Sequence, residues 1–486
     1  MAAVIDTLLA AAGALTDGMP SAGQMRGRKE VFGVTKRVKA DRSNYLFDNH
    51  ALTALIIPLV IEQLLAILVG MAVSIMIANV GEAAVSGVSL VDQIMILVIQ
   101  IFSALATGGA VVTGQYLGQQ NRKKACESAM QMVWFITLFA AAVTLGVYAG
   151  KYWILHGVFG KIEREVMRHA NIYLLIVSAS IPFIALYNCG AAIFRSMGNS
   201  EISMRISVIM NIINVGGNAL LIYGFHRGAE GVAIPTLVSR AVAAVIITAK
   251  LLKKEYPVHI EKTLHYRMDW SMVKRILSIG IPNGMENSMF QLGKIIVLSL
   301  ISTFGTYAIA ANAVGNAVTM FSCLPGMALT LAVTTVISRC VGAGDYEQVK
   351  YYNRKLLVIT HAGLMFSVGL VFLTLPWIIR AYHLSDMTAE VTKQIIYFHG
   401  ICTVFFWPAA FSIPTTFRAA GDAKACMLIS ILSMWIFRIV FSYILGRYME
   451  MGIFGVWVAM IIDWLFRGVC FGIRYFGGKW KNAAIV

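Results

Sequence analysis

Long apolar runs dominate this chain and limit what it can become. A helix of about 20 apolar residues crosses the ~30 Å hydrocarbon core of a bilayer. Twelve such runs can be read, roughly at 51–78, 85–117, 128–150, 171–197, 203–224, 230–252, 273–303, 309–340, 353–380, 393–419, 424–446 and 452–475. Composition agrees. The chain is 58% hydrophobic and only 13% charged, where a soluble domain is about half apolar and about a quarter charged. The expected fold is an all-α polytopic membrane protein.

The net charge of +16 would suit a nucleic-acid binder, but its placement reads otherwise. With the N-terminus in the cytoplasm, 29 Lys and Arg fall at the cytoplasmic side and 8 at the other. That is the positive-inside pattern, so the charge sets topology and no nucleic acid is expected as a partner. Both termini are expected to be cytoplasmic, in the cell membrane. The first residues lack a basic region ahead of their apolar stretch, so no cleaved signal peptide is expected. Arg26, Arg28, Lys29, Lys36, Arg37, Lys39 and Arg42 form a basic tail suited to anionic lipid head groups. The seven cysteines show no CxxC pair, and free thiols are expected.

The chain repeats itself. Shifted by 224 residues, IPLVIEQLL (Ile57–Leu65) falls on IPNGMENSM (Ile281–Met289), matching Pro58 to Pro282 and Glu62 to Glu286. The same shift matches Gly81 to Gly305, Gly118 to Gly342 and Gly231 to Gly455. A shift of 223 lays FRSMGNS over FRAAGDA. Each half holds six spans, an even number, so the repeats are parallel and related by an axis along the membrane normal. The organisation expected is a basic cytoplasmic tail (1–45), an N-lobe (46–252), a cytoplasmic linker (253–272), a C-lobe (273–475) and a short cytoplasmic tail (476–486).

Two six-helix lobes leave a cleft between them, where transporters of this build hold substrate. Ionisable residues at membrane depth are functional candidates by default. Here they are Glu62, Asp92, Arg240, Glu286, Lys294, Arg438 and Asp463. The four acids are the candidates for ion coupling. Depth matching predicts an Arg438–Asp463 pair and a cross-cleft Asp92–Lys294 pair. Gln63, Asn211, Asn214, Asn218, Gln291, Lys294 and Asn312 are the polar candidates for the substrate cleft. No HExxH, GxSxG or paired catalytic carboxylates occur, so neither an enzyme nor a resident metal is expected.

Several segments carry a family resemblance. PLVIEQLLAILVGMAVSIMIANVGEAAVSGVSL and QIFSALATGGAVVTGQYLGQQNRKKA resemble the first two helices of the multidrug and toxic compound extrusion family. FRSMGNS and FRAAGDA resemble its repeated Arg-x-x-Gly-(Asp/Asn) turn, and NVGGNALLIYG its fifth helix. The resemblance covers about residues 45–475. It implies a monomeric antiporter that expels amphipathic, often cationic compounds in exchange for Na⁺ or H⁺, with no other cofactor. A flippase for a lipid-linked precursor, from the same superfamily, is the second reading. The chain departs from the family pattern at three places. Val73 and Asn218 stand where many members carry acids, and Phe290 stands where some carry a seventh-helix Glu.

Overall fold

The computed structural model describes residues 45–486 except 159, 161, 262–266 and 383. Most of the basic tail and part of the central linker therefore lie outside the described residues. Phe47–Val486 forms one unit. Among the described residues it contains twelve principal helices, numbered in chain order. The N-lobe holds α1 (Asn49–Ala78), α2 (Glu82–Gly118), α3 (Arg122–Ala149), α4 (Arg164–Ser178 with Ile181–Ser196), α5 (Ser200–Gly224) and α6 (Glu230–Leu251). The C-lobe holds α7 (Trp270–Ser302), α8 (Thr306–Gly342), α9 (Tyr346–Ala381), α10 (Asp386–Ala420), α11 (Ala423–Tyr448) and α12 (Gly452–Gly477).

Among the described residues ten of these helices are long and apolar enough to cross a membrane singly, and α4 makes eleven if its two pieces count as one span. The sequence reading took 171–197 as one continuous span. The structure bends it by 47° between Ser178 and Ile181. Pro182 sits just past the break, where the missing N–H costs nothing because a helix start leaves its first donors unpaired. The remaining helix, α7, has 33 residues. Asn283, Glu286, Asn287, Gln291 and Lys294 interrupt its apolar run.

The repeat explains the local structure. Asn121 and Asp345, 224 residues apart, are both N-caps, accepting from Lys124 N at 3.1 Å and from Gln348 N at 2.9 Å. Each satisfies a donor that a helix start would otherwise leave unpaired. Asp269 caps α7 by accepting from Ser271 N at 2.8 Å. That backbone hydrogen bond holds its carboxyl below the usual range. Gly81 and Gly305 lead into α2 and α8 with φ of +135° and +106°, a backbone region that L side chains rarely enter.

The lobes meet where α2 packs on α7 and α8, and α1 on α8. The seam lies in the halves nearest the basic loops. A Cβ on Gly118 would stand 2.1 Å from Arg339 O, and one on Gly342 would stand 2.0 Å from Gln115 O. Gln115 Nε2 donates to Ala419 O at 2.9 Å, and Arg275 donates to the Tyr116 hydroxyl at 2.6 Å. Backbone contact this close needs glycine. Gly118→Ala is therefore expected to push the lobes apart at a cost of about 1–3 kcal/mol. Gly146→Ala, at a position with open space around it, should be neutral or better. Thermal unfolding of the two variants in detergent checks this, and an unchanged midpoint for Gly118→Ala would contradict the seam.

The N-lobe holds one continuous apolar core that runs on into Met272, Ile276 and Ile279 of α7. The C-lobe core is divided. One cluster is built on Val297, Ile395 and Trp457, another on Leu364, Trp407 and Trp464. All seven cysteines are free.

Candidate functional site

Glu62 and Glu286 each follow an in-helix proline by four residues, which turns them to the inside of their own lobe. There each meets an arginine. Arg195 Nη1 lies 3.5 Å from Glu62 Oε1, and Arg418 Nη2 lies 2.7 Å from both oxygens of Glu286. Ser203 donates to Glu62 Oε2 at 3.1 Å, and the Tyr187 hydroxyl approaches Oε1 at 3.4 Å. The arginines come from FRSMGNS and FRAAGDA, so two separately repeated motifs close on each other in both lobes. Counted along the chain, Arg195 and Arg418 fall among the 29 charges at the cytoplasmic side. The structure corrects this: both are largely buried partners of the glutamates.

Asp463 and Arg467 are one turn apart on α12, 0% and 2% exposed. Arg467 Nε donates to Asp463 Oδ1 at 2.9 Å, and Ser433 Oγ also donates to that carboxylate. The expected Arg438–Asp463 pair is therefore not formed. Arg467, assigned from sequence to the cytoplasmic end, takes the carboxylate because an i,i+4 partner needs no interhelical match. Arg438 instead stacks on Phe290, 5.0 Å from the ring centroid, and donates to Met460 Sδ at 3.1 Å.

Asp92 is placed differently. It accepts from the Tyr173 hydroxyl at 2.8 Å. Arg240 acts on it electrostatically while donating to Ser180 Oγ at 2.8 Å. Among the described residues it has no salt bridge, unlike Glu62, Glu286 and Asp463. The expected Asp92–Lys294 pair is also absent. Asp92 faces α4 and α6 within the N-lobe, and Lys294 lies over Phe290, 5.2 Å from its centroid, in the C-lobe. Equal depth placed them at one level but did not make them face each other.

The polar candidates divide into two groups. Asn211, Asn214 and Asn218 line one face of α5. Asn211 donates to Ser207 Oγ at 3.4 Å, Asn214 to Thr236 Oγ1 at 3.0 Å, and Asn218 to Asn214 Oδ1 at 3.2 Å. Asn218 Oδ1 is buried without a partner. Lys294 and Asn312 line a C-lobe cavity of about 210 Å³ together with Asn316 and Arg438. Gln63 and Gln291, both half-buried, belong to neither group. Sequence reasoning missed Tyr173 and Asn316, which carry no pattern signal. It also missed the roles of Arg195, Arg418 and Arg467. The 223-residue match of the two FR motifs was the available clue for the first two.

A two-lobe helical protein with a parallel repeat, charges inside each lobe and polar residues along the lobe faces is a membrane transporter. The family model described as MatE matches it twice, over residues 58–220 and 282–444. The chain belongs to the MatE family. The two matches stand 224 residues apart, the offset of the internal repeat. The chain is 26% identical over 442 residues to a probable multidrug resistance protein NorM of Thermotoga maritima, covering 90% of this chain and 94% of that one. It is 27% identical over 467 residues to the uncharacterized transporter YisQ of Bacillus subtilis, covering 93% and 98%. Among solved structures it resembles an outward-facing conformation of a multidrug resistance MATE family transporter, with a TM-score of 0.83 and 19% identity, covering 89% of this chain and 96% of that one.

Proposed function

We propose that the chain exports amphipathic compounds from the cell in exchange for an inward-moving H⁺ or Na⁺, with the cleft between its lobes opening alternately to the two sides. The cell membrane is its site of action, with both termini in the cytoplasm. The basic loops at one end support this orientation even without Arg195, Arg418 and Arg467. Asp92 carries the coupling. It is the one intramembrane acid, among the described residues, that no arginine or lysine holds in a salt bridge. A carboxylate locked to a guanidinium has little to offer an incoming cation, whereas one hydrogen-bonded to a tyrosine hydroxyl, with Arg240 beyond salt-bridge distance, can take a proton or a monovalent ion. Coupling then requires that ion and substrate favour different lobe arrangements. The close backbone approaches between the lobes, at Gly108, Gly118 and Gly342, lie in the basic half, which suits an arrangement open on the opposite side.

The test uses purified protein in liposomes with separately imposed gradients. Gradient-driven movement of ethidium or pyrene-1-sulfonate is expected with one ion and to vanish when that gradient is collapsed. Movement indifferent to both gradients would remove cation coupling.

A further inference from the structure

The cavity of the C-lobe carries a charge opposite to what a cationic drug would need. Lys294 enters it from α7, Asn312 and Asn316 from α8, Arg438 from α11, and Trp457 and Met460 from α12. Among the described residues neither Lys294 nor Arg438 has a salt bridge. The two acids nearby are already engaged, Glu286 by Arg418 and Asp463 by Arg467. The C-lobe interior thus holds four cations, Lys294, Arg418, Arg438 and Arg467, against two carboxylates. Three of the cations, Lys294, Arg438 and Arg467, surround the single ring of Phe290, at 5.2, 5.0 and 5.4 Å from its centroid. Like charges gathered this closely at membrane depth are costly unless an anion joins them.

The backbone is shaped for this site. Arg438 sits in a π-helical turn, Met434–Val440, inside α11, a widening that is frequent at functional sites. Its guanidinium has five N–H donors. Its hydrogen bond in the fold goes to a thioether, a weak acceptor. Asn316 Nδ2 donates to the Asn312 backbone carbonyl, at 2.8 Å, a bond that uses neither polar atom of the Asn312 side chain. Lys294 lies roughly 12 Å from the outer end of α7, and Asn316 roughly 15 Å from the outer start of α8, by helix rise. The donors therefore converge at one level of the membrane. Trp457, Leu298 and Ile301 supply apolar wall. The volume, about 210 Å³, is below the ~300 Å³ lower bound of drug-sized sites, so it suits a head group with the remainder of the molecule projecting into the cleft.

We propose that this cavity binds the oxyanion head of an amphipathic organic anion, a carboxylate, sulfonate or phosphate, and that such anions are substrates. The proposal rests on the transporter reading above and reverses only the expected charge of the cargo. The same head-group chemistry occurs on a soluble amphiphile and on an anionic lipid, and the test separates them.

The experiment measures equilibrium binding of two probes with the same apolar body and opposite charge, pyrene-1-sulfonate and pyrene-1-methylammonium, to the full chain in phosphatidylcholine nanodiscs. The sulfonate is expected to bind saturably and at least tenfold more tightly than the ammonium. Lys294→Met and Arg438→Gln should each weaken it tenfold or more, and Lys294→Arg should restore it. In nanodiscs containing phosphatidylglycerol, a tenfold loss of sulfonate binding would identify the lipid head group as an occupant of the same cavity. Equal or tighter binding of the ammonium probe would overturn the proposal, as would sulfonate binding untouched by Lys294→Met and Arg438→Gln. Lys294→Gln, checked for monodispersity, stands in if Lys294→Met fails to fold. Gradient-driven ethidium transport without sulfonate binding would defeat this proposal alone, whereas no gradient-driven transport of ethidium or of the sulfonate would defeat the ion-exchange reading on which it rests.

Discussion

Arg418→Met is expected to destabilise the C-lobe by about 3–5 kcal/mol, because it leaves the Glu286 carboxylate buried without its cation. Arg418 Nη2 touches both Glu286 oxygens at 2.7 Å, and the two side chains are only 16% and 10% exposed. The cost is mainly that of the orphaned charge, so removing the charge as well should recover much of it. Arg418→Met with Glu286→Gln is expected to be more stable than Arg418→Met alone. The N-lobe mate predicts a smaller effect. Arg195 approaches Glu62 only to 3.5 Å, and Ser203 and Tyr187 remain to serve the carboxylate. Thermal unfolding in detergent of the wild type, Arg418→Met, Glu286→Gln and the double variant measures the cycle. Strict additivity between Arg418 and Glu286 would show that the pair is not coupled. The same result bears on function. If Glu286 anchors α7 to α10, Glu286→Gln should cost folded protein, and the molecules that do fold should still transport.

The sequence showed the architecture clearly because its signals are cooperative. Twelve apolar runs, the charge bias and the repeat each specify the same two-lobe arrangement. The site was less legible. Glu62 and Glu286 stood out as ionisable residues in apolar runs. Their partners did not, because an arginine near a span end looks like a loop charge when counted along the chain. The chain also departs from a regular α-helix ahead of both arginines, at the α4 bend and at the π-helical turn Pro408–Ser412 of α10, and a count along the chain registers neither. Helix depth can be read by counting residues, but the direction a side chain faces depends on rotation about the axis and on which helix lies alongside. That is why depth alone paired Arg438 with Asp463 and Asp92 with Lys294. The competing partners were Arg467, on the same helix, and Tyr173, on a neighbouring one. Asn218 sits on α5 and offers a buried neutral oxygen.

Asp92→Asn should uncouple transport from the ion gradient while leaving the protein folded and able to exchange substrate for substrate. The amide keeps the size of the side chain and can still accept from Tyr173, whose hydroxyl lies 2.8 Å from Asp92 Oδ1, so packing against α4 should survive. The negative charge that an entering cation would neutralise does not. Site-to-site coupling is typically about 1–3 kcal/mol, or roughly 5- to 150-fold, so gradient-driven accumulation should fall toward the upper end of that range. Tyr173→Phe removes the hydroxyl but keeps the carboxylate, and its loss of coupling should be smaller. Liposome assays separate the two components. Substrate–substrate exchange with no ion gradient reports a folded, moving transporter, and accumulation under the gradient reports coupling. A structural role for Asp92 would lower both together. Gradient-driven accumulation by Asp92→Asn at the wild-type level would return the coupling role to the paired acids, Asp463 first, since its Oδ2 is buried and accepts nothing in the fold.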